Sequence, residues 1–303
     1  MSTISEIGMR EQMVRTLEDL LDRDERLVVL LGNISSGLFR RGWRDHPDRL
    51  YDVGILEQTM LSAAAGLAME GFIPVAHSIT PFVVERCYEQ IKDDFCYQRL
   101  GGNIISTGAS YDYSEEGMTH HGPGDVAILK QLPGIEIIVP GTAAEFDALF
   151  RERYADGAPI YYRLSARQNI TSQPVRFGQA HVLREGGQAT VIAVGPALEP
   201  TRAAVADLDV TLLYYTTVAP FDAETLRAHS PSGKVALVEP YYEGTLVADV
   251  AAALVDTPTR IEAFGVPHAV LSRYGTPAQH DEAIGFTPAG IRERVEKLMG
   301  LDK

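Results

Sequence analysis

Tyr51-Asp-Val-Gly-Ile-Leu-Glu57-Gln-Thr-Met60 runs directly into Leu61-Ser-Ala-Ala-Ala-Gly-Leu-Ala-Met-Glu70 and stops at Gly71. The second segment reads as a helix. It is rich in alanine, the best helix former, and it ends on glycine, a common helix stop. Its small side chains let another backbone approach closely. Glu57 opens this helix beside Val53, Ile55, Leu56 and Met60. A carboxylate there complements the positive end of the helix dipole. Set among apolar side chains, the same carboxylate could equally be a buried functional acid, and the stretch alone leaves both readings open.

Short apolar runs alternate with helical patterns on either side of this stretch. Leu27-Val-Val-Leu-Leu31 has the continuous apolar character of a buried parallel strand. It breaks at Gly32-Asn33-Ile34-Ser35-Ser36-Gly37, a polar loop at the carboxyl end of that strand, where ligands gather in open α/β sheets. Helices are predicted over 8–22, 57–70, 83–100, 125–132 and 143–154, with strands over 27–31, 74–78, 103–109, 136–140 and 159–164. The segment 168–178 lacks periodicity and reads as a linker. A second α/β unit follows, with strands over 189–194, 210–215, 234–239 and 260–264 and helices over 197–206, 223–228, 245–254 and 288–299. The expected class is α/β: two domains, each with a mostly parallel sheet flanked by helices.

Composition narrows the function. The chain has 303 residues, 45% hydrophobic and 22% charged, as in soluble globular proteins. A formal charge of −14 argues against nucleic acid or an anionic membrane as partner, because both demand a basic surface. The two cysteines, Cys87 and Cys96, share one predicted helix at a spacing that matches no metal motif, and read as reduced thiols. A polar N-terminus without a signal-type apolar core makes the cytoplasm the expected location.

A second informative stretch is Glu115-Glu-Gly-Met-Thr-His120-His121-Gly-Pro-Gly-Asp125. It sets two glutamates, two imidazoles and three glycines between a strand end and the helix start at Asp125. It is either a surface loop whose Asp125 caps the next helix or part of a site. No third ligand lies at metal-site spacing, so no metal site is expected.

Taken together these stretches resemble the transketolase family of thiamine-diphosphate enzymes. The resemblance rests on Gly54-Ile-Leu-Glu57-Gln-Thr-Met60 with its Ala-rich helix and Gly71-Phe-Ile-Pro74, on Glu116-Gly-Met-Thr-His120, on Leu132-Pro-Gly-Ile-Glu-Ile-Ile-Val-Pro140 and on Tyr162-Arg-Leu-Ser. It continues through Gly187-Gln-Ala-Thr-Val-Ile-Ala-Val-Gly195 and Val238-Glu-Pro240. Shared order and spacing carry the match. It implies a pyrimidine-binding domain over 1–170 and a transketolase C-terminal domain over 178–303.

The resemblance also implies roles. Glu57 would hydrogen-bond a ring nitrogen of the cofactor's aminopyrimidine, so that the exocyclic nitrogen can take a proton from the thiazolium carbon. Apolar neighbours would suit a carboxyl that shares a proton. His120 would face the aminopyrimidine and a substrate oxygen. Phe82 would pack on the pyrimidine, and Ile55 would help bind the cofactor. Arg10, Glu116 and Arg167 would bind substrate, the arginines gripping an anionic acceptor. Glu116 stands where many members have the shorter Asp. The serine that members carry in the first strand-end loop is read as replaced by Gly37.

No Gly-Asp-Gly motif is present to hold the diphosphate and its Mg²⁺. The resemblance therefore implies one subunit of a split enzyme. A partner chain, the N-terminal-half transketolase subunit, would bind the diphosphate and the metal, and two such pairs would form an α2β2 heterotetramer, with a homodimer expected for the chain alone. The implied reaction moves a two-carbon ketol unit from a ketose to an aldehyde acceptor, with sugar or sugar-phosphate substrates. The alternatives are the β-chain of a 2-oxoacid dehydrogenase decarboxylase component, a deoxyxylulose-phosphate synthase-like fragment, and a non-catalytic assembly subunit.

Overall fold

The computed structural model describes residues 7–301. Two domains, each built on a mostly parallel sheet with flanking helices, account for them. The strands are β1 (Leu27–Leu31), β2 (Leu50–Asp52), β3 (Ile73–Ile79), β4 (Gly102–Thr107), β5 (Glu136–Ile138), β6 (Pro159–Arg163), β7 (His181–Arg184), β8 (Ala189–Val194), β9 (Val210–Tyr215), β10 (Thr217–Ala219), β11 (Lys234–Tyr242) and β12 (Arg260–Val266). The first sheet has the order β10-β5-β6-β4-β3-β1-β2 and the second β12-β11-β8-β9-β7. The central runs are buried along their whole length, as strands covered on both faces must be.

Alternation along the strands sorts the first sheet into two faces. Leu27, Val29, Leu31, Val75 and Ile105 pack with Met9, Met13, Leu17 and Leu20 of the helix Met9–Leu21 and with Phe146 and Phe150 of the helix Ala143–Arg153. Val28, Leu30, Ala76 and Ile104 pack on the other face with Met60, Leu61, Ala64 and Ala65 of the helix Glu57–Met69. That second apolar cluster runs on without a break into Ile192, Leu213, Val235 and Leu237 of the second sheet, so the two domains share a core.

Besides the helix Arg40–Asp45 and the strands β2 and β7, which the sequence reading did not include, four further features depart from it. The helix expected over 83–100 is present, but it is wound mostly as π turns over Pro81–Glu85 and Ile91–Tyr97 around the short α turn Tyr88–Gln90. Such wide turns occur frequently at functional sites. The helix Pro277–Ile284 was not foreseen. β10 comes from the second half of the chain, yet it pairs antiparallel with β5 at the edge of the first sheet. Segment 168–178 is firmly held: the buried Glu145 carboxylate accepts from Gln173 N (2.8 Å), Gly141 N (2.8 Å) and Tyr214 Oη (2.6 Å), tying the segment to both domains. No helix among the described residues is long and apolar enough to cross a membrane.

Candidate active site

β1 and β3 lie side by side in parallel, with Leu31 opposite His77. Their carboxyl ends carry two consecutive polar residues on β3, His77 and Ser78, both buried. Consecutive strand residues point to opposite faces. Each of these two anchors a different cluster.

On one face, Ser78 Oγ donates to Glu57 Oε1 at 3.1 Å. Arg86 Nη1 donates to the other oxygen, Oε2, at 2.6 Å. The carboxylate is 1% exposed and the guanidinium side chain 39%. Gly32 makes this packing possible. A Cβ there would stand 3.0 Å from Ser78 Oγ and 3.3 Å from Glu57 Cγ. The π turn delivers Arg86: its N–H bonds Pro81 O at 3.0 Å, one residue beyond the α-helical spacing. This sets the Arg86 guanidinium over the Phe82 ring, 4.4 Å from its centroid, a cation–π contact. His120 meets the same ring edge-on, 5.1 Å between centroids. Glu57, Arg86, Phe82 and His120 thus form one continuous chain of contacts.

These surroundings differ from the apolar nest expected for Glu57. Ile55 and Leu56 are 65% and 60% exposed and leave the carboxylate to Ser78 and Arg86. The reason is local: Ile55 and Leu56 of the turn before the helix lie exposed, and the helix start then carries Glu57 against Ser78 at the carboxyl end of β3.

On the other face, Arg10 Nε donates to Ser35 Oγ at 2.7 Å. Ser35 Oγ lies 2.8 Å from His77 Nε2, and His77 Nδ1 lies 3.0 Å from the Ile105 carbonyl oxygen. A carbonyl only accepts, so Nδ1 carries the proton and Nε2 accepts from the serine hydroxyl. Complete burial lowers the His77 pKa to about 4, which keeps the ring neutral. The loop residue that meets Arg10 is thus Ser35, two residues before Gly37.

The loop after β4 carries the remaining candidates. Asp125 does not cap its helix; the residue before it, Gly124, holds the cap position. Its carboxylate instead accepts from Arg163 Nε and Tyr161 Oη, each at 2.7 Å, and Arg163 also reaches Ser110 Oγ at 2.7 Å. This buried ion pair clamps both ends of the loop to β6. At its tip Glu116 is exposed, and His120 is half-buried with Nδ1 3.0 Å from Thr119 Oγ1. Tyr274 of the second domain lies on Gly117, where a Cβ would come within 2.8 Å of the tyrosine ring.

Arg167 is drawn to the second domain. Its Nη1 lies 2.7 Å from both oxygens of Asp281. Tyr111 Oη donates to Asp281 Oδ1 at 2.5 Å, and the guanidinium stacks over the Tyr111 ring at 5.0 Å. The structure therefore brings together Glu57, Phe82 and His120, sets Arg10 on the opposite face of β3, and engages Arg167 with a carboxylate. Sequence reasoning missed Ser78, Arg86, Ser35 and His77. The available signal was the pair of polar residues ending an otherwise apolar strand.

These residues fit an aminopyrimidine. A carboxylate offers about four acceptor positions, and Ser78 and Arg86 use one on each oxygen. Glu57 can still take a ring N–H, Phe82 offers an aromatic surface, and His120 adds a polar edge beside it. No group of three or more His, Cys, Asp or Glu side chains suited to a metal occurs among the described residues.

Residues 5–171 match the transketolase pyrimidine-binding domain and residues 178–291 the transketolase C-terminal domain. A 33.6 kDa protein of the fasciation locus of Rhodococcoides fascians is 38% identical, covering 94% of this chain and 93% of that one. The 6-deoxy-6-sulfo-D-fructose transketolase subunit SqwH of a Clostridium species is 31% identical over 78% of this chain and 77% of its own. The chain spans 48% of the 1-deoxy-D-xylulose-5-phosphate synthase of Oleidesulfovibrio alaskensis, at 29% identity over 95% of its own length. A solved structure described as a split-gene transketolase, inactive β4 tetramer, superposes with a TM-score of 0.85 at 28% identity, covering 98% of this chain and all of that one. With both domain matches falling on the two sheets, and the first spanning more than half of the sequence, the chain belongs to the transketolase family.

Proposed function

We propose that this chain is the acid-bearing subunit of a split, thiamine-diphosphate-dependent transketolase, transferring a two-carbon ketol unit from a ketose to an aldehyde acceptor. The observation that carries the reading is the buried Glu57 carboxylate at the carboxyl end of the first sheet, linked through Arg86 to the Phe82 ring and His120. The SqwH relative is a transketolase subunit of comparable length, which supports a partner chain. That partner would hold the diphosphate and Mg²⁺, in an α2β2 assembly.

When bound, the cofactor supplies the electron sink for breaking a carbon–carbon bond beside a carbonyl. Glu57 would hold and return a proton at a ring nitrogen, with Ser78 and Arg86 fixing its two oxygens. Phe82 would orient the ring by its face. His120, on a loop clamped by Asp125 and Arg163, would bind a substrate oxygen. Arg10, with an anionic group on the acceptor, would set specificity. A sulfonated sugar in the name of one relative supports an anionic substrate.

The test is reconstitution with a chain that carries the diphosphate-binding half. The wild-type pair should bind thiamine diphosphate and transfer a ketol unit to an aldehyde. Full transfer by a pair containing Glu57→Ala, or tight cofactor binding by the partner alone with no help from this chain, would remove the proposal.

A further inference from the structure

Arg10 occupies an unfavourable place for a cation. It is the second residue of the helix Met9–Leu21, at the positive end of the helix dipole. Among the described residues no carboxylate pairs with it, and its only hydrogen bond runs from Nε to Ser35. Both terminal nitrogens are left free. A helix start and an unpaired guanidinium together make a site for an anion.

Ser35 is held in a demanding conformation to meet it. Ser35 and Asn33 both have left-handed φ angles, 67° and 68°, which cost non-glycine residues energy unless the surroundings enforce them. The surroundings do so. Asp52 Oδ1 accepts from Asn33 N (3.1 Å) and Gly54 N (2.9 Å), fastening the loop to the turn that precedes Glu57. The serine proton is already committed to His77 Nε2, so Ser35 has only lone pairs to offer Arg10 and cannot itself donate to a ligand.

We propose that His77 is a positioning residue for the acceptor's anionic group: through Ser35 it fixes the direction of Arg10, leaving the two terminal guanidinium nitrogens to hold a phosphate or sulfonate. The inference rests on the function proposed above and adds the residue that sets specificity from inside the sheet. His77 touches neither substrate nor cofactor; it acts through two hydrogen bonds in series. The chain Ile105 carbonyl, His77, Ser35, Arg10 is directional, because the carbonyl at its root dictates every donor that follows.

The experiment uses the reconstituted pair and compares glyceraldehyde 3-phosphate with uncharged glyceraldehyde as acceptor. Arg10→Ala should raise KM for the phosphorylated acceptor roughly tenfold or more, the worth of a charge-assisted hydrogen bond, and raise KM for glyceraldehyde several-fold less. His77→Leu should reproduce most of that rise with kcat within about twofold of wild type. His77→Gln, which restores an acceptor, should recover part of it. Ser35→Ala breaks the same chain without touching the buried imidazole and covers the case in which His77→Leu does not fold. The double variant Arg10→Ala/His77→Leu should be no worse than Arg10→Ala. Equal effects of His77→Leu and Ser35→Ala on both acceptors, or none on either, would overturn the role of His77 while Arg10→Ala kept its selective effect. No selective effect of Arg10→Ala would instead sink the anion-binding reading itself.

Discussion

His77 and Ser78 are neighbours on one strand, and the clusters they anchor are built on opposite principles. Ser78 reaches into an ionic cluster, in which a buried carboxylate is matched by a half-exposed guanidinium. His77 reaches into a neutral relay, in which a hidden imidazole orders a serine and the charge stands free at the far end. In the first, the charge of the carboxylate is met inside the protein. In the second, the guanidinium keeps its terminal nitrogens unpaired among the described residues. On the function proposed above, one strand end would separate proton transfer from anion recognition by the period-two geometry of β structure.

The sharpest way to break this comparison is to remove the acid. Glu57→Ala should lower kcat of the reconstituted pair by about 10²–10⁴-fold, the range of a positioned proton-transfer group, with an unchanged far-ultraviolet circular dichroism spectrum. Next is the pH dependence of stability. The His77 pKa is lowered to about 4 from an ordinary value of 6.5. The unfolded chain therefore takes up a proton below 6.5 that the folded chain refuses until about 4. Stability should fall across that window as pH drops, by about 3 kcal/mol from this group, and stay flat above it. Chemical denaturation of wild type and His77→Gln at pH 7 and pH 5 checks this; the variant should lose less on acidification.

A smaller effect is expected at Arg86. Arg86→Ala leaves Glu57 buried with Ser78 alone, but the lost cation is partly exposed, so solvent weakens the pair. We expect a loss of about 1–2 kcal/mol in unfolding free energy and a fall in kcat near tenfold. Arg86→Lys should recover stability better than rate, since it keeps the charge but loses the planar contact with Phe82. The smallest effect belongs to Arg167. With Asp281 already engaged, Arg167→Ala should raise KM for a phosphorylated acceptor by no more than about threefold, well below Arg10→Ala. Asp281→Asn is the informative control: freeing the arginine should strengthen, not weaken, use of the phosphorylated acceptor if Arg167 ever grips it.

The framework was legible because each element carries its own period. β1 is five apolar residues in a row, and the helix Glu57–Met69 announces itself by alanine. Glu57, Phe82 and His120 were singled out by resemblance alone, and the fold links them through Arg86, by an ion pair, a cation–π contact and a ring contact. Arg86 was hidden because its position depends on a π turn, which shifts a side chain by one residue relative to α-helical counting. His77 and Ser78 could be assigned to opposite faces from alternation alone, but not the loops that come to meet them. The helix Pro277–Ile284 has a readable start, Thr276-Pro-Ala-Gln279, with a capping box and proline in its first turn. Few apolar residues follow; the helix is anchored by Asp281, which bonds Tyr111 and Arg167, and by His280 buried against the Tyr111 and His121 rings.

β10 gives the molecule a further property. A strand from one domain completes the sheet of the other, and the backbone bond from Val139 N to Thr216 O, 2.7 Å, extends that seam. The halves are thus stitched like a book whose last page is glued to the first cover. Cutting the polypeptide between them would strip a protective edge from β5, leaving unpaired backbone ready to recruit strangers; the amino-terminal half expressed by itself should clump unless a short peptide spanning Thr217–Ala219 is given back.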